Sequence, residues 1–123
     1  MYEIKIIEEF SGAHNLRNYK GKCEELHGHN WRVEVVLYKS TLNSQGMVLD
    51  FKELKARVKS VLSGMDHKHL NNLIYFKRKN PTSENIARFI HDKLSKVLKC
   101  RIKISVWETT NACASFYMST GRA

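Results

Sequence analysis

Proline is nearly absent, with one residue in 123. That excludes a proline-rich linker or a low-complexity disordered segment. Cysteine is scarce too. Cys23, Cys100 and Cys113 are odd in number and widely spaced, which does not fit a disulfide framework. A reducing cytoplasm, in which Cys23 stays a free thiol, is the expected setting. No apolar run approaches the roughly 20 residues of a membrane span. The opening residues, Met1-Tyr2-Glu3-Ile4-Lys5, lack the charged-then-apolar pattern of a secretory leader. Acidic residues are also in short supply, 12 against 21 lysines and arginines, for a formal charge of +9.

What is present is a chain 42% hydrophobic, expected to form one domain over residues 1–123 and to bury a core without disulfides. The positive charge points to an anionic partner: nucleic acid, a phosphorylated small molecule or an anionic membrane surface. Lys52, Lys55 and Lys59, then Lys93, Lys96 and Lys99, recur at helical spacing and read as solvated faces.

Residues 2–10 read as a strand with Tyr2, Ile4 and Ile6 on one face. Residues 11–29 lack sustained periodicity and read as a long functional loop. Residues 30–39 alternate through Trp31, Val33, Val35 and Leu37, the clearest strand of the chain. Met47-Val48-Leu49 is a short extended run leading to a helix opened by Asp50 and Glu53 as a capping box. Its stripe is Phe51, Leu54, Val58, Val61 and Leu62, and Gly64 is its stop. After an irregular stretch, Asn80-Pro81-Thr82-Ser83-Glu84 starts a second helix with Ile86, Ile90, Leu94, Val97 and Leu98 inward. His91 falls on its polar side. Residues 101–108 and 113–119 complete the strands, and 121–123 read as a frayed end. The class is α+β, in the order β-β-α-α-β-β, with one antiparallel sheet and both helices on one face.

Three of the six histidines fall between residues 14 and 29. His27 and His29, separated by Gly28, point to one side if they enter the following strand. His14 reaches the same edge if the first two strands pair. Gly28 is expected to leave room for a metal or substrate. Three neutral imidazoles suit Zn²⁺ with a fourth position open. Cys23 is either a fourth ligand, which would close the site, or a nucleophile or base beside it. Asp66-His67 forms a carboxylate–imidazole pair fit for acid/base work, against the competing reading of an exposed loop pair. His69 reads as surface. Glu108 ends a strand, where a carboxylate can accept two parallel N–H bonds from a heterocycle edge or simply pair with a lysine.

In their order and spacing, several segments together resemble the 6-pyruvoyl-tetrahydropterin synthase family, which includes the 6-carboxy-tetrahydropterin synthases. They are Phe10…Ala13-His14, Cys23-x-x-x-His27-Gly28-His29, Gly46-Met47-Val48-Leu49-Asp50-Phe51, Asp66-His67-x-His69-Leu70-Asn71, Pro81-Thr82-Ser83-Glu84-Asn85 and Trp107-Glu108-Thr109. The resemblance covers nearly the whole chain. It implies the tunnelling fold, whose sheets join around a trimeric barrel, with two trimers stacked as a hexamer and active sites between subunits. It implies that His14, His27 and His29 hold zinc and that Cys23 moves a proton on the substrate side chain. Asp66 and His67 would be the acid/base partners, reaching the site from a neighbouring subunit, and Glu108 would anchor the pterin ring.

The implied substrate is 7,8-dihydroneopterin triphosphate. The implied product is 6-carboxy-5,6,7,8-tetrahydropterin, a queuosine precursor, formed with loss of triphosphate and acetaldehyde. The 6-pyruvoyl product is an alternative. So is a 6-hydroxymethyl-dihydropterin of the folate branch, because Glu24, three residues before His27, resembles the base of that branch. A zinc-bearing nucleic-acid binder is a distant competitor, disfavoured by the dispersed lysines and the lack of a base-stacking aromatic motif.

Overall fold

A computed structural model describes residues 1–119; the expected frayed end at 121–123 lies outside them. Two long strands, β1 (Tyr2–His14) and β2 (His27–Lys39), come first, followed by helix α1 (Phe51–Leu62). A two-residue strand, β3 (Lys68–His69), and two single 3₁₀ turns lead to helix α2 (Ser83–Ser95), then β4 (Arg101–Thr109) and β5 (Ala112–Tyr117). The order read from the sequence holds, with β3 added. The sheet runs β3-β1-β2-β4-β5. The four expected strands pair antiparallel; the added two-residue β3 pairs parallel to β1.

Both long strands extend further than their hydrophobic patterns suggest. β1 continues through Gly12 and Ala13 to His14, and β2 starts at His27, because these residues pair with one another. Neighbouring backbone groups that must be satisfied carry the ladder past the last apolar side chain. The loop expected over 11–29 therefore shrinks to residues 15–26.

One sheet face, with Ile6, Phe10, Trp31, Val33, Val35, Leu37, Ile102, Ile104 and Val106, is buried under the helices. In α1, Leu54, Val58 and Leu62 are the buried positions, and Asp50 accepts the Lys52 N–H at 2.8 Å as cap. Glu53 does not close a capping box: its carboxylate turns to Arg57 at 3.5 Å. In α2, Thr82 caps the Asn85 N–H, and Ile86, Ala87, Ile90 and Leu94 face the sheet. His91 is also buried, contrary to its expected place on the polar side. The reason is β5, which brings the Phe116 ring edge-on to the imidazole at 4.8 Å. The Met47-Val48-Leu49 run forms no strand; Val48 and Leu49 pack against the core from a bend. No helix among the described residues is long and apolar enough to cross a membrane.

Candidate metal centre

His14 ends β1 and His27 begins β2, directly opposite in register, while His29 faces Gly12. Alternation along the two strands puts all three imidazoles on the core side of the sheet, at its open end. Their ring centroids lie 4.7, 5.2 and 4.8 Å apart. Trp31 is fully buried beneath them. It sets its ring 4.9 Å from His14 and 5.1 Å from His29, and its indole N–H donates to the Gly12 carbonyl at 3.1 Å. The floor of the site is thus a fixed aromatic that belongs to the core. Gly12 is the tight glycine here, since a Cβ would come within 3.2 Å of the Phe10 ring. Gly28 lies on the opposite face, where a Cβ would meet nothing closer than a carbonyl at 3.9 Å. It therefore does not make room at the cluster as expected.

Tautomers follow from the partners. His14 Nδ1 is 2.7 Å from the Pro81 carbonyl oxygen, and His27 Nδ1 is 2.9 Å from that of Glu25. A carbonyl only accepts, so each Nδ1 carries the proton, and in a neutral ring the lone pair sits on Nε2. These two Nε2 atoms face each other at 3.1 Å. Two lone pairs at that distance repel unless a cation lies between them. His29 Nε2 is buried with no hydrogen-bond partner, an unsatisfied polar nitrogen that a bound ion would account for. Burial also holds the His29 pKa below its ordinary value, opposed by the Glu108 carboxylate, so its basic form is favoured. Ligand atoms of the three histidines all lie within 4.8 Å of one another. The donor set, the tautomers and the orphaned nitrogen all fit a divalent metal.

Glu108 joins the cluster. Its Oε1 stands 3.5 Å from His14 Nε2 and 4.0 Å from His29 Nε2. Glu24 comes near from behind, with Oε1 3.9 Å from His27 Nδ1. That oxygen already accepts the Leu16 N–H at 3.2 Å, while the Glu24 N–H donates to the Leu16 carbonyl at 2.8 Å. Cys23, next along the loop, is exposed and free. Asp66 and His67 do not reach the cluster within one chain. Asp66 Oδ1 accepts the Ser11 N–H at 2.9 Å, and the His67 N–H donates to the Ser11 carbonyl at 2.6 Å. The pair therefore stands on the outer edge of β1, three residues before His14, which is about 10 Å along a strand. The His67 ring is 80% exposed and 3.6 Å from Asp66.

Several residues that hold the site went unread. Asn71 pairs both ways with the Asn15 backbone, accepting its N–H at 3.0 Å and donating to its carbonyl at 2.8 Å. Asn80 does the same with Arg17, at 2.8 and 3.1 Å. The Arg17 guanidinium donates to the carbonyls of Asn71, Phe76 and Lys79. His69, expected at the surface, is half-buried and bonds Asn15 at 3.3 Å. The only signal for the two amides was their position beside Leu70 and Pro81; carbonyl partners leave none.

Fold and site together define an α+β domain with a three-imidazole, metal-competent centre at one end of its sheet. Comparisons with known proteins narrow this. Residues 3–119 match the model of the family described as 6-pyruvoyl tetrahydropterin synthase. A 6-carboxy-5,6,7,8-tetrahydropterin synthase of Synechocystis is 36% identical over 120 residues, covering 91% of this chain and 92% of that protein. A dihydroneopterin monophosphate aldolase of Pyrococcus furiosus is 40% identical over 102 residues, covering 80% and 82%. The solved 6-pyruvoyl tetrahydropterin synthase of Caenorhabditis elegans superposes with a TM-score of 0.82 at 27% identity, covering 96% of each chain. The chain belongs to the 6-pyruvoyl tetrahydropterin synthase family and is a pterin synthase of the lyase type.

Proposed function

We propose that the protein is a zinc-dependent 6-carboxy-5,6,7,8-tetrahydropterin synthase acting on 7,8-dihydroneopterin triphosphate. The observation that carries the reading is the pair of His14 and His27 Nε2 atoms facing at 3.1 Å beside the unpartnered His29 Nε2. It is joined to similarity over nine-tenths of the chain to a protein named for that activity. His14, His27 and His29 hold the metal. When bound, zinc supplies Lewis acidity that makes neighbouring C–H and O–H groups of a substrate more acidic.

The chain's own groups do the rest. Cys23, free and exposed on the loop beside the cluster, takes a proton from the substrate side chain as thiolate. Glu108 orients the pterin ring through parallel N–H bonds to its carboxylate. Asp66 holds the His67 imidazole, which relays a second proton. Because the pair projects from the outer edge of β1, it serves the site of an adjoining copy. That supports assembly as a homo-oligomer, a hexamer built as a dimer of trimers, working in the cytoplasm.

A second reading rests on Glu24. Its carboxylate lies 3.9 Å from His27, and a 40% identical relative is named an aldolase of dihydroneopterin monophosphate. Glu24 as base would give a hydroxymethyl-pterin. Against it, one Glu24 oxygen already accepts the Leu16 N–H, whereas the Cys23 thiol is free and exposed. Incubating the zinc-loaded protein with 7,8-dihydroneopterin triphosphate and weighing the products decides. The carboxy-pterin with released triphosphate and acetaldehyde is expected. A hydroxymethyl- or pyruvoyl-pterin assigns the other branches, and no turnover refutes all three.

A further inference from the structure

Asn15, Leu16 and Arg17 lie outside every strand and helix, yet each of their backbone N–H and C=O groups is taken. Asn15 exchanges both bonds with the Asn71 carboxamide, at 3.0 and 2.8 Å. Arg17 does so with the Asn80 carboxamide, at 2.8 and 3.1 Å. Leu16, between them, is served by Glu24. Its N–H donates to the Glu24 carboxylate at 3.2 Å, and its carbonyl accepts the Glu24 N–H at 2.8 Å. The Arg17 guanidinium ties the same run to the carbonyls of Asn71, Phe76 and Lys79.

This run is fixed against the metal ligands. Asn15 follows His14 directly, and His14 is held by the Pro81 carbonyl at 2.7 Å, next to Asn80. From Leu16 the chain makes an excursion and returns at Glu24. Asn18 and Lys20 in that excursion lie in the left-handed region, at φ 58° and 52°, a conformation that persists where neighbouring contacts enforce it. The Leu16–Glu24 pair closes the excursion at its base. The Glu24 N–H belongs to the planar peptide unit that contains the Cys23 Cα. Fixing that N–H on Leu16 therefore fixes where the Cys23 side chain leaves the backbone.

We propose that Glu24 is a positioning residue for the Cys23 thiol and takes no proton from the substrate itself. The inference deepens the proposed function and rests on it for the chemistry that the thiol performs. The Leu16 N–H requires only an acceptor oxygen, which a carboxamide also supplies. Proton abstraction requires the charged carboxylate. Glu24→Gln keeps the first and abolishes the second, whereas Glu24→Ala removes both.

The test compares full-length wild type, Glu24→Gln, Glu24→Ala and Cys23→Ser, with turnover of 7,8-dihydroneopterin triphosphate counted per bound zinc. Glu24→Gln should turn over like wild type and give the same pterin. Glu24→Ala should lose about 10- to 100-fold in kcat, the cost of misplacing a reacting group, with KM little changed. Cys23→Ser should lose turnover although Glu24 is intact. Two further readouts need no turnover. Hydrogen exchange across residues 15–26 should quicken in Glu24→Ala and not in Glu24→Gln. Alkylation of Cys23 by iodoacetamide, read by peptide mapping, should change rate in Glu24→Ala only. Glu24→Gln as inactive as Glu24→Ala overturns the proposal, because the charge is then required. So does Glu24→Ala with wild-type turnover and exchange, and so does full turnover by Cys23→Ser, since no thiol then needs placing. If wild type turns nothing over, the activity is refuted, and exchange and alkylation decide on the positioning role. A change confined to Glu24→Ala supports that role, and equal behaviour of wild type and both Glu24 variants overturns it.

Discussion

His14 Nδ1 donates to the Pro81 carbonyl across 2.7 Å, a buried contact between residues 67 positions apart. It ties the last residue of β1 to the entry of α2 and fixes which nitrogen of the imidazole faces the cluster. A backbone carbonyl on a rigid frame holds an imidazole in one tautomer and one orientation.

Removing a ligand imidazole should empty the centre. His27→Ala and His29→Ala are expected to drop bound metal from about one per chain to near zero, as read by elemental analysis after dialysis. Neither should unfold the chain, because the core is carried by Trp31 and the aliphatic residues below it. Metal retained at wild-type stoichiometry by both variants would remove these residues from the ligand set.

The Asn71 carboxamide acts as a two-way clamp on Asn15. Asn71→Ala should cost about 1–3 kcal/mol in urea unfolding, since it strands a partly buried donor and acceptor. Asn71→Asp keeps the acceptor but sets a carboxylate against the Asn15 carbonyl, and should be at least as damaging. A difference within about ±0.5 kcal/mol for both, the size of a neutral surface change, would deny the clamp.

The metal-free protein should lose stability as pH falls. Burial holds His29 below its ordinary 6.5 in the folded state, with Glu108 opposing. The unfolded chain therefore binds that proton first, and stability rises with pH. The contribution is complete above the unfolded value and is lost progressively below it, toward the folded value. Thermal unfolding from pH 7.5 to 5.5 should show a steeper fall for wild type than for His29→Gln. A wild-type slope equal to or shallower than that of the variant contradicts the sign.

Thiol labelling should divide the cysteines. Burial raises the Cys100 pKa, offset in part by Lys39, whereas Cys23 and Cys113 are exposed. At pH 8, a thiolate-specific reagent should react with Cys23 and Cys113 quickly and with Cys100 slowly. Peptide mapping that finds Cys100 labelled as fast as the other two would contradict this.

Much of the framework was legible because alternation and helical spacing report burial directly. The β-β-α-α-β-β order, the starts of both helices and the convergence of His14 with His27 and His29 followed from patterns within single segments plus one assumed strand pairing. The ends of β1 and β2 did not, since Gly12, Ala13 and Gly28 carry no strand preference and are held by the partner ladder. His91 was misplaced because its burial depends on Phe116, a residue of β5 whose position is set by tertiary contacts. The bracing roles of Arg17, Asn71, Asn80 and the Pro81 carbonyl were not legible for the same reason: each bond has a backbone group as one partner, far away in the chain, and a backbone partner leaves no trace in residue type.

The most direct measurement is X-ray absorption at the zinc edge of the purified, metal-loaded protein. Three imidazole nitrogens near 2.0–2.1 Å, with remaining coordination from oxygen and no sulfur, are the predicted first shell. A sulfur at about 2.3 Å would make Cys23 a ligand rather than a base, and a shell without imidazole would contradict the three-histidine centre itself.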